Sequence, residues 1–142
     1  MDEVDFTAPL QKALLSFQFI EECLKTYLTD VFLLARHRCA KDVPIDVVSL
    51  RKLIDKKTLG SLITLFSCVT SNTALVTDLK GLSGKRNFCA HQAFLLTYEE
   101  QNDHEFLRKH TTELREIADS AHDAMMRLTD EMKKLRERPT TL

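Results

Sequence analysis

Residues 72–96, NTALVTDLKGLSGKRNFCAHQAFLL, combine the apolar spacing of a helix with an unusual set of polar residues. Asn72 is a residue type that favours the N-cap of a helix. The apolar residues that follow recur at steps of three and four, which places them on one helix face. That face comprises Leu75, Leu79, Leu82, Cys89, Ala93 and Leu96. We therefore predict one long helix across this stretch.

The rest of the chain shows the same spacing and predicts an all-α fold. Only three glycines and three prolines interrupt its 142 residues. We predict a first helix over about 9–38, two short helices capped by Asp46 and Thr58, and a last helix over about 103–137. Three long helices and two short ones, joined by brief turns, favour an up-and-down bundle of four to five helices in a single domain, 1–142.

The last predicted helix carries apolar residues seven apart, which is the spacing of a coiled coil. These residues are Leu107, Leu114, Ala121, Leu128 and Leu135. The same spacing is typical of a stripe that faces the interior of its own bundle. Because only about four heptads are sustained, we favour the stripe over a coiled-coil dimer.

The composition excludes several classes of protein. Apolar residues make up 44% and charged residues 29% of the chain, which is typical of a globular protein. Lys and Arg number 20 and Asp and Glu number 21, so bulk charge favours neither DNA nor membrane binding. No apolar run approaches the roughly 20 residues of a membrane span. The acidic start MDEVDFTAPL does not fit a signal peptide, so we expect a cytoplasmic protein.

The cysteines and histidines show no metal-binding spacing, so we expect neither a metal nor another cofactor. Each cysteine lies in or beside an apolar stripe, which predicts buried free thiols. The cysteines are Cys23, Cys39, Cys68 and Cys89. We expect the histidines of the last helix to occupy solvated or rim positions. These are His104, His110 and His122.

The polar residues inside the quoted stretch have a structural interpretation. Arg86 lies four residues after Leu82 and three before Cys89, where the spacing of the apolar face calls for an apolar residue. We therefore expect its guanidinium along the buried edge of the helix. An acid on another helix would then pair with it, and His91 would be an interior imidazole. Gly81 and Gly84 would permit close helix packing.

The same residues also have a functional interpretation. Residues 79–98 contain Lys80, Lys85 and Arg86 and no acid, so an anion would be favoured there. A histidine moves protons near neutral pH, and an arginine binds a phosphate and stabilises charge on it. This pair suits RNA, because the 2′-hydroxyl attacks the adjacent phosphate once a base removes its proton.

Helix geometry constrains this second interpretation. Five residues at 100° each place Arg86 and His91 about 140° apart on a straight helix. The two side chains therefore converge on one phosphate only if the helix is distorted near Gly84 or if a second copy supplies the partner. In a symmetric dimer that packs these helices together, each patch meets its own copy and two Arg and two His share one cleft.

The segment KRNFCAH, residues 85–91, resembles the R-x4-6-H motif of the HEPN superfamily, in which a polar residue, often Asn, follows the arginine. The order KKTLGSLITLF, then LKGLSGKRNFCAHQAF, then a long charged helix is similar to small bacterial HEPN-like proteins over about residues 46–137. The resemblance implies a bundle of four or five helices and a homodimer with the motif at its cleft. It also implies a metal-independent endoribonuclease that leaves a 2′,3′-cyclic phosphate.

The resemblance implies a role for each matching residue. Arg86 would bind and neutralise the scissile phosphate, and Asn87 would position the RNA or the histidine. His91 would be the general base or acid. Lys80 and Lys85 are basic neighbours of the motif in the acid-free segment, and we predict that they contact the RNA. Such enzymes act as toxins or in defence against phage, often with an antitoxin such as a minimal nucleotidyltransferase.

The continuation of the motif leaves a second function open. Residues 91–100, HQAFLLTYEE, replace the basic or aromatic continuation of the HRFFRE type that the resemblance leads us to expect. The superfamily also contains binding modules and transcriptional co-regulators, among them the mannitol operon repressor group. The alternative prediction is therefore a non-catalytic HEPN-like module.

Overall fold

The computed structural model describes five helices. It describes the backbone of residues 7–39, 42, 44, 46–97 and 104–137, and the side chains of residues 8–38, 42, 44, 46–91 and 110–137. The helices are α1 (Thr7–Cys39), α2 (Val47–Asp55), α3 (Leu59–Val69), α4 (Thr73–Thr97) and α5 (His104–Arg136). No strand occurs in these ranges. The predicted all-α class, with three long helices and two short ones, is confirmed.

The predicted N-caps are confirmed because each capping side chain accepts a hydrogen bond from the first turn of its helix. The bonds run from Ser49 N to Asp46 (3.1 Å), from Ser61 N to Thr58 (3.2 Å) and from Leu75 N to Asn72 (3.1 Å). The hydroxyl and backbone N–H of Ser49 both donate to Asp46 and lower the pKa of that carboxyl. Side chains with oxygens at the right positions therefore determine where α2, α3 and α4 begin.

Helices α1 and α5 run parallel. Lys12 lies 2.9 Å from Asp119, and Arg136 lies 3.1 Å from Asp30, so residue numbers rise together along the two helices. These two helices also make the most extensive helix contact among the described residues. They form the frame against which the other helices pack.

Helix α4 runs antiparallel to α5. Asp78 pairs with Arg127. Asn72 donates to Glu131 over 3.0 Å, so the numbers rise along one helix while they fall along the other. Because α1 is parallel to α5, α4 also runs opposite to α1. The three long helices therefore run up, down and up in chain order.

The apolar stripe of α5 faces the interior of its own bundle. Its members are buried at 5% exposure or less: Leu114, Ile117, Ala121, Ala124, Leu128 and Leu135. They share one core with apolar side chains of the other helices, including the edge-to-face pair Tyr27 and Phe66, whose ring centroids are 5.0 Å apart. This burial confirms the interpretation of the heptad spacing as an intramolecular stripe. Leu107 lies outside the described side chains.

The inner face of α4 is the one that the sequence predicts. Leu75, Leu79, Leu82 and Cys89 are all at most 5% exposed. These side chains anchor the helix in the core and so determine its rotation about its own axis. Ala93 and Leu96, predicted for the same face, lie outside the described side chains.

The predicted role of the α4 glycines is wrong. A Cβ atom added at Gly81 or Gly84 would meet none of the described residues within 4 Å, so neither glycine permits a close helix contact within this part of the chain. The close approach lies instead at Gly60 of α3, where an added Cβ would lie 3.8 Å from the Ser83 hydroxyl. Helix α4 continues through Gly84 without a break.

The burial of the cysteines differs from the prediction at one position. Cys23 and Cys89 are buried free thiols, as expected. Cys68 is exposed because it lies about 200° around α3 from the buried Phe66. Its thiol lies 3.4 Å from the Thr64 carbonyl oxygen. The side chain of Cys39 lies outside the described residues.

Replacing Asn72 with Ala should lower the free energy of unfolding by about 1–2 kcal/mol, because α4 loses its cap and Glu131 loses a donor. Urea denaturation followed by circular dichroism measures the change. Ser71→Ala is the matched control, since that neighbouring side chain is exposed. A loss no larger than that of Ser71→Ala would contradict the capping role.

Candidate functional site

Two of the three motif side chains, Asn87 and His91, lie on the outer part of α4. Cys89 points into the core, and at 100° per residue Asn87 and His91 each lie about 160° from it. Arg86, Asn87 and His91 are all exposed. The interior imidazole predicted for His91 by the structural interpretation is therefore wrong, because burial of Cys89 directs His91 away from the core.

Arg86 forms an ion pair at the edge between α4 and α1. Its Nη2 lies 3.5 Å from Oε2 of Glu21, and its side chain is 45% exposed. Pairing with an acid on another helix is thus present, as the structural interpretation predicted. The expected burial is wrong, because the long side chain extends from the core edge towards α1 and solvent. Such exposed pairs stabilise a fold by about 0–1 kcal/mol.

Glu21 is shared between two cations. Its Oε1 lies 3.7 Å from Lys25 Nζ, and the Lys25 side chain is only 10% exposed. Glu22 also approaches Lys25, at 3.4 Å. Glu21 therefore helps to neutralise a buried ammonium as well as the guanidinium of Arg86.

The two lysines predicted to contact RNA lie on different sides of α4. Lys80 precedes Asn87 by seven residues, which places it within about 20° of Asn87 on the outer face. Lys85 lines a groove between α4 and α5. Both lysines are exposed. Lys80 therefore shares the motif face, whereas Lys85 faces a different surface.

The groove between α4 and α5 is lined by charges of both signs. It has a volume of about 530 Å³ and includes Asp78, Lys85, Asp119, Asp123 and Arg127. Asp78 pairs with Arg127 and raises its pKa. Asp123 lies 3.6 Å from the same guanidinium. These pairings prevent the groove from forming a continuous positive track for a polyanion.

Asp119, at the rim of this groove, pairs with Lys12 of α1. The hydrogen bond from the Lys12 ammonium lowers the pKa of the Asp119 carboxyl. The acids Asp78, Asp119 and Asp123 of the groove thus each pair with a cation of the same chain. We infer no cation site from them.

His110 is closer to the motif than the sequence suggested. Its imidazole lies 5.6 Å, centroid to centroid, from the ring of Phe88 on α4. Its Nδ1 lies 3.5 Å from Glu113 Oε2, and its side chain is 17% exposed. His110 is half-buried, so it is less exposed than the solvated or rim position that we predicted for it. The spacing of His110 in the sequence could have indicated this burial, because His110 precedes the core residues Leu114 and Ile117 by four and seven residues.

The other two histidines of α5 do not join this contact. His122 is exposed, as expected. The side chain of His104 lies outside the described residues. His110 is therefore the described histidine of α5 that contacts the motif helix.

Cys89 is a core residue rather than a reactive group. Burial, with a smaller contribution from the Glu113 carboxylate, raises the pKa of its thiol to about 11. The thiol is therefore protonated at neutral pH and is a poor nucleophile. Within the described ranges, no three His, Cys, Asp or Glu side chains form a group able to hold a metal ion.

Comparisons with protein-family models, curated proteins and solved structures found no match to the chain. Among the described residues, no helix has both the length and the apolar character needed to cross a membrane.

The exposure of Cys68 and the burial of Cys89 should separate their thiol reactivities. With a pKa of about 11, only roughly one Cys89 thiol in a thousand is ionised at pH 8. In a Cys39→Ser background, Ellman's reagent should therefore label Cys68 rapidly and Cys89 only after denaturation.

Cys68→Ser in the same background is the control, and it should remove the fast labelling phase. Rapid labelling of Cys89 in folded protein, located by mass spectrometry, would contradict the placement of the inner face of α4.

Proposed function

We propose that the chain is a metal-independent endoribonuclease whose site is formed by Arg86, Asn87 and His91 at the cleft of a homodimer. One observation carries this proposal. All three side chains are exposed, Asn87 and His91 on the outer part of α4 and Arg86 at its edge towards α1, so they are accessible to a ligand. The resemblance of residues 85–91 to the HEPN motif supplies the reaction type.

The reaction requires an activated nucleophile and a stabilised phosphate. His91 accepts the proton of the RNA 2′-hydroxyl, and the 2′ oxygen attacks the neighbouring phosphorus. The bond from phosphorus to the 5′ oxygen breaks, which leaves a 2′,3′-cyclic phosphate, and the 5′ oxygen takes a proton from water to become a hydroxyl. Arg86 stabilises the negative charge on the phosphoryl oxygens, and Asn87 positions the RNA beside His91. Lys80, on the same outer face, attracts the backbone, and Lys85 does so from the groove side.

A second copy completes the site. Helix α4 is uninterrupted, so Arg86 and His91 remain about 140° apart, with Arg86 directed towards α1. A twofold interface that covers both the outer face of α4 and its edge with α1 would let Arg86 of one copy approach His91 of the other. Gly84 favours this packing, because it lies on the outer face and the space around it is open.

The ion pair with Glu21 is compatible with phosphate binding. A guanidinium has five N–H donors, and Glu21 approaches one terminal nitrogen, Nη2 of Arg86. The side chain remains 45% exposed, which leaves donors for a phosphate. Glu21 holds the arginine at the edge of α4 while the free side of the guanidinium meets the RNA.

The biological setting follows from the same resemblance. We propose a cytoplasmic bacterial toxin or phage-defence nuclease, controlled by an antitoxin such as a minimal nucleotidyltransferase. In that setting, expression without the antitoxin would inhibit growth through RNA cleavage.

One observation favours a second candidate, a non-catalytic binding module or transcriptional co-regulator. Arg86 is paired with Glu21, and Arg127 of the α4–α5 groove is paired with Asp78 and Asp123. Both pairings reduce the positive potential available to RNA. A module of this kind would use the exposed motif face to bind a partner without cleaving it.

Incubation of the purified protein with labelled single-stranded RNA and EDTA should produce fragments that end in a 2′,3′-cyclic phosphate. His91→Ala and Arg86→Ala should each slow cleavage about 10²-fold or more, because each removes a group that acts in the transition state. His122→Ala is the control, since that exposed histidine lies on α5 away from the motif and should leave the rate unchanged.

Absence of cleavage by the wild type, or cleavage unchanged in His91→Ala, would contradict the proposal. Expression in bacteria separates the two candidates. Growth inhibition that Arg86→Ala relieves supports the nuclease, whereas normal growth with RNA left intact supports the binding module.

A further inference from the structure

Three exposed lysines lie close together in the chain where α2 ends and α3 begins. They are Lys52, Lys56 and Lys57, and we call them the α2 lysine surface. Lys52 and Lys56 each lie about 160° around α2 from the buried Ile54, so their side chains point away from the core. Lys57 directly precedes Thr58, the N-cap of α3.

No acid among the described residues forms an ion pair with these lysines. The nearby acids pair with other cations. Asp55 Oδ1 lies 2.9 Å from Arg51 Nε, and Glu22 Oε2 lies 3.4 Å from Nη2 of the same arginine. The α2 lysine surface therefore presents its positive charge to a ligand.

Helix α3 brings the α2 lysine surface beside the motif. A Cβ atom added at Gly60 would lie 3.8 Å from the Ser83 hydroxyl, so the first turn of α3 lies against α4 at Ser83. Lys57 precedes Gly60 by three residues, which span at most about 11 Å. Asn87 follows Ser83 by four residues, so the two lie one turn apart on the same side of α4. The lysines thus adjoin the part of α4 that carries the motif.

Ion pairs with α1 place α2 and the motif on the same part of that helix. Glu21 of α1 approaches Arg86 of α4 at 3.5 Å, and its neighbour Glu22 approaches Arg51 of α2 at 3.4 Å. Lys25 lies 3.7 Å from Glu21 and 3.4 Å from Glu22. A continuous chain of ion pairs therefore links α4 to α2 across α1, independently of the contact at Gly60.

A surface of lysines without acid partners favours a polyanion, because each lysine replaces a counterion at a phosphate. Sites for single-stranded nucleic acid commonly cover about 4–16 nucleotides, so a strand that meets Arg86 has further phosphates to place. The α4–α5 groove lies on the opposite side of α4, because Ser83 is about 160° from the groove residues Gly81 and Lys85. The strand therefore has a positive path on the α2 side of the motif.

We propose that the α2 lysine surface binds single-stranded RNA at phosphates that flank the scissile one. This assignment rests on the proposed function, in which Arg86 binds the scissile phosphate. Lysine contacts to phosphates carry no sequence information, so the surface contributes affinity and positions the strand without selecting bases. It makes the enzyme prefer strands of several nucleotides over the shortest substrates.

The salt dependence of binding tests this surface without cleavage. The probe is a 2′-O-methyl RNA of about 20 nucleotides, which has no 2′-hydroxyl to attack. Each phosphate contact to a single strand contributes about 0.7 to the slope of log K against log salt. A triple variant should therefore lower the slope by about 2 and weaken binding about 10–100-fold at about 0.1 M salt. Its substitutions are Lys52→Gln, Lys56→Gln and Lys57→Gln.

A second triple variant is the matched control. It removes the same charge from exposed positions on α1 and α5, through Lys12→Gln, Lys133→Gln and Lys134→Gln. Its slope should stay within about 0.5 of the wild-type value. Circular dichroism verifies that both variants are folded.

The length of the substrate separates phosphate binding from a structural role. For ordinary RNA of about 20 nucleotides, the α2 variant should lose about 10–100-fold in kcat/KM through a raised KM, because it removes binding outside the reacting centre. A dinucleotide has one phosphate and cannot contact the flanking lysines. Both proteins should therefore cleave it at equal rates.

The outcomes distinguish this assignment from the proposed function. An unchanged slope in the α2 variant, an equal loss in the control variant, or an equal loss on the long RNA and the dinucleotide overturns the assignment, although the nuclease stands. If the wild type does not cleave but the α2 variant alone loses slope, the nuclease fails and the RNA-binding surface stands. If the wild type neither binds nor cleaves RNA, both fail.

Discussion

Burial of the inner stripe of α4 is the constraint on which the candidate site depends. Leu75, Leu79, Leu82 and Cys89 are nearly inaccessible to solvent, so α4 cannot rotate about its axis without exposing them. A rotation by one residue position, about 100°, would bring a different set of side chains into the core. The helix therefore directs His91 outwards and Arg86 towards α1. Packing in the core thus determines where the chemistry of the motif is placed.

Local signals in the sequence predict most of the fold. Asp46, Thr58 and Asn72 begin their helices as predicted, because an N-cap is made by a side chain and a backbone N–H only three residues apart. The core stripes of α4 and α5 are equally predictable, since a helix that packs on one side needs apolar residues at steps of three and four. The parallel pairing of α1 with α5 was not predicted from these signals, because it depends on which helices meet.

The errors concern positions whose environment is determined by a neighbouring helix. The partner of Arg86 is Glu21, more than sixty residues earlier in the chain. His110 is half-buried because Phe88 of α4 lies against it. Two glycines on one helix suggest close packing, yet no described neighbour of the same chain approaches Gly81 or Gly84. Sequence spacing specifies the direction of a side chain from its own helix, but it does not specify what lies there.

The central claim is that two copies of the chain share one site, and subunit complementation tests it most directly. Chains with Arg86→Ala and chains with His91→Ala are co-expressed with different tags and purified as a mixed dimer. If each site combines Arg86 of one copy with His91 of the other, this dimer has one site with both residues intact and one site with neither. The account predicts about half of the wild-type ribonuclease activity from this mixed dimer, although each parent dimer is inactive. A mixed dimer as inactive as its parents, or failure of the tagged chains to associate, would contradict it.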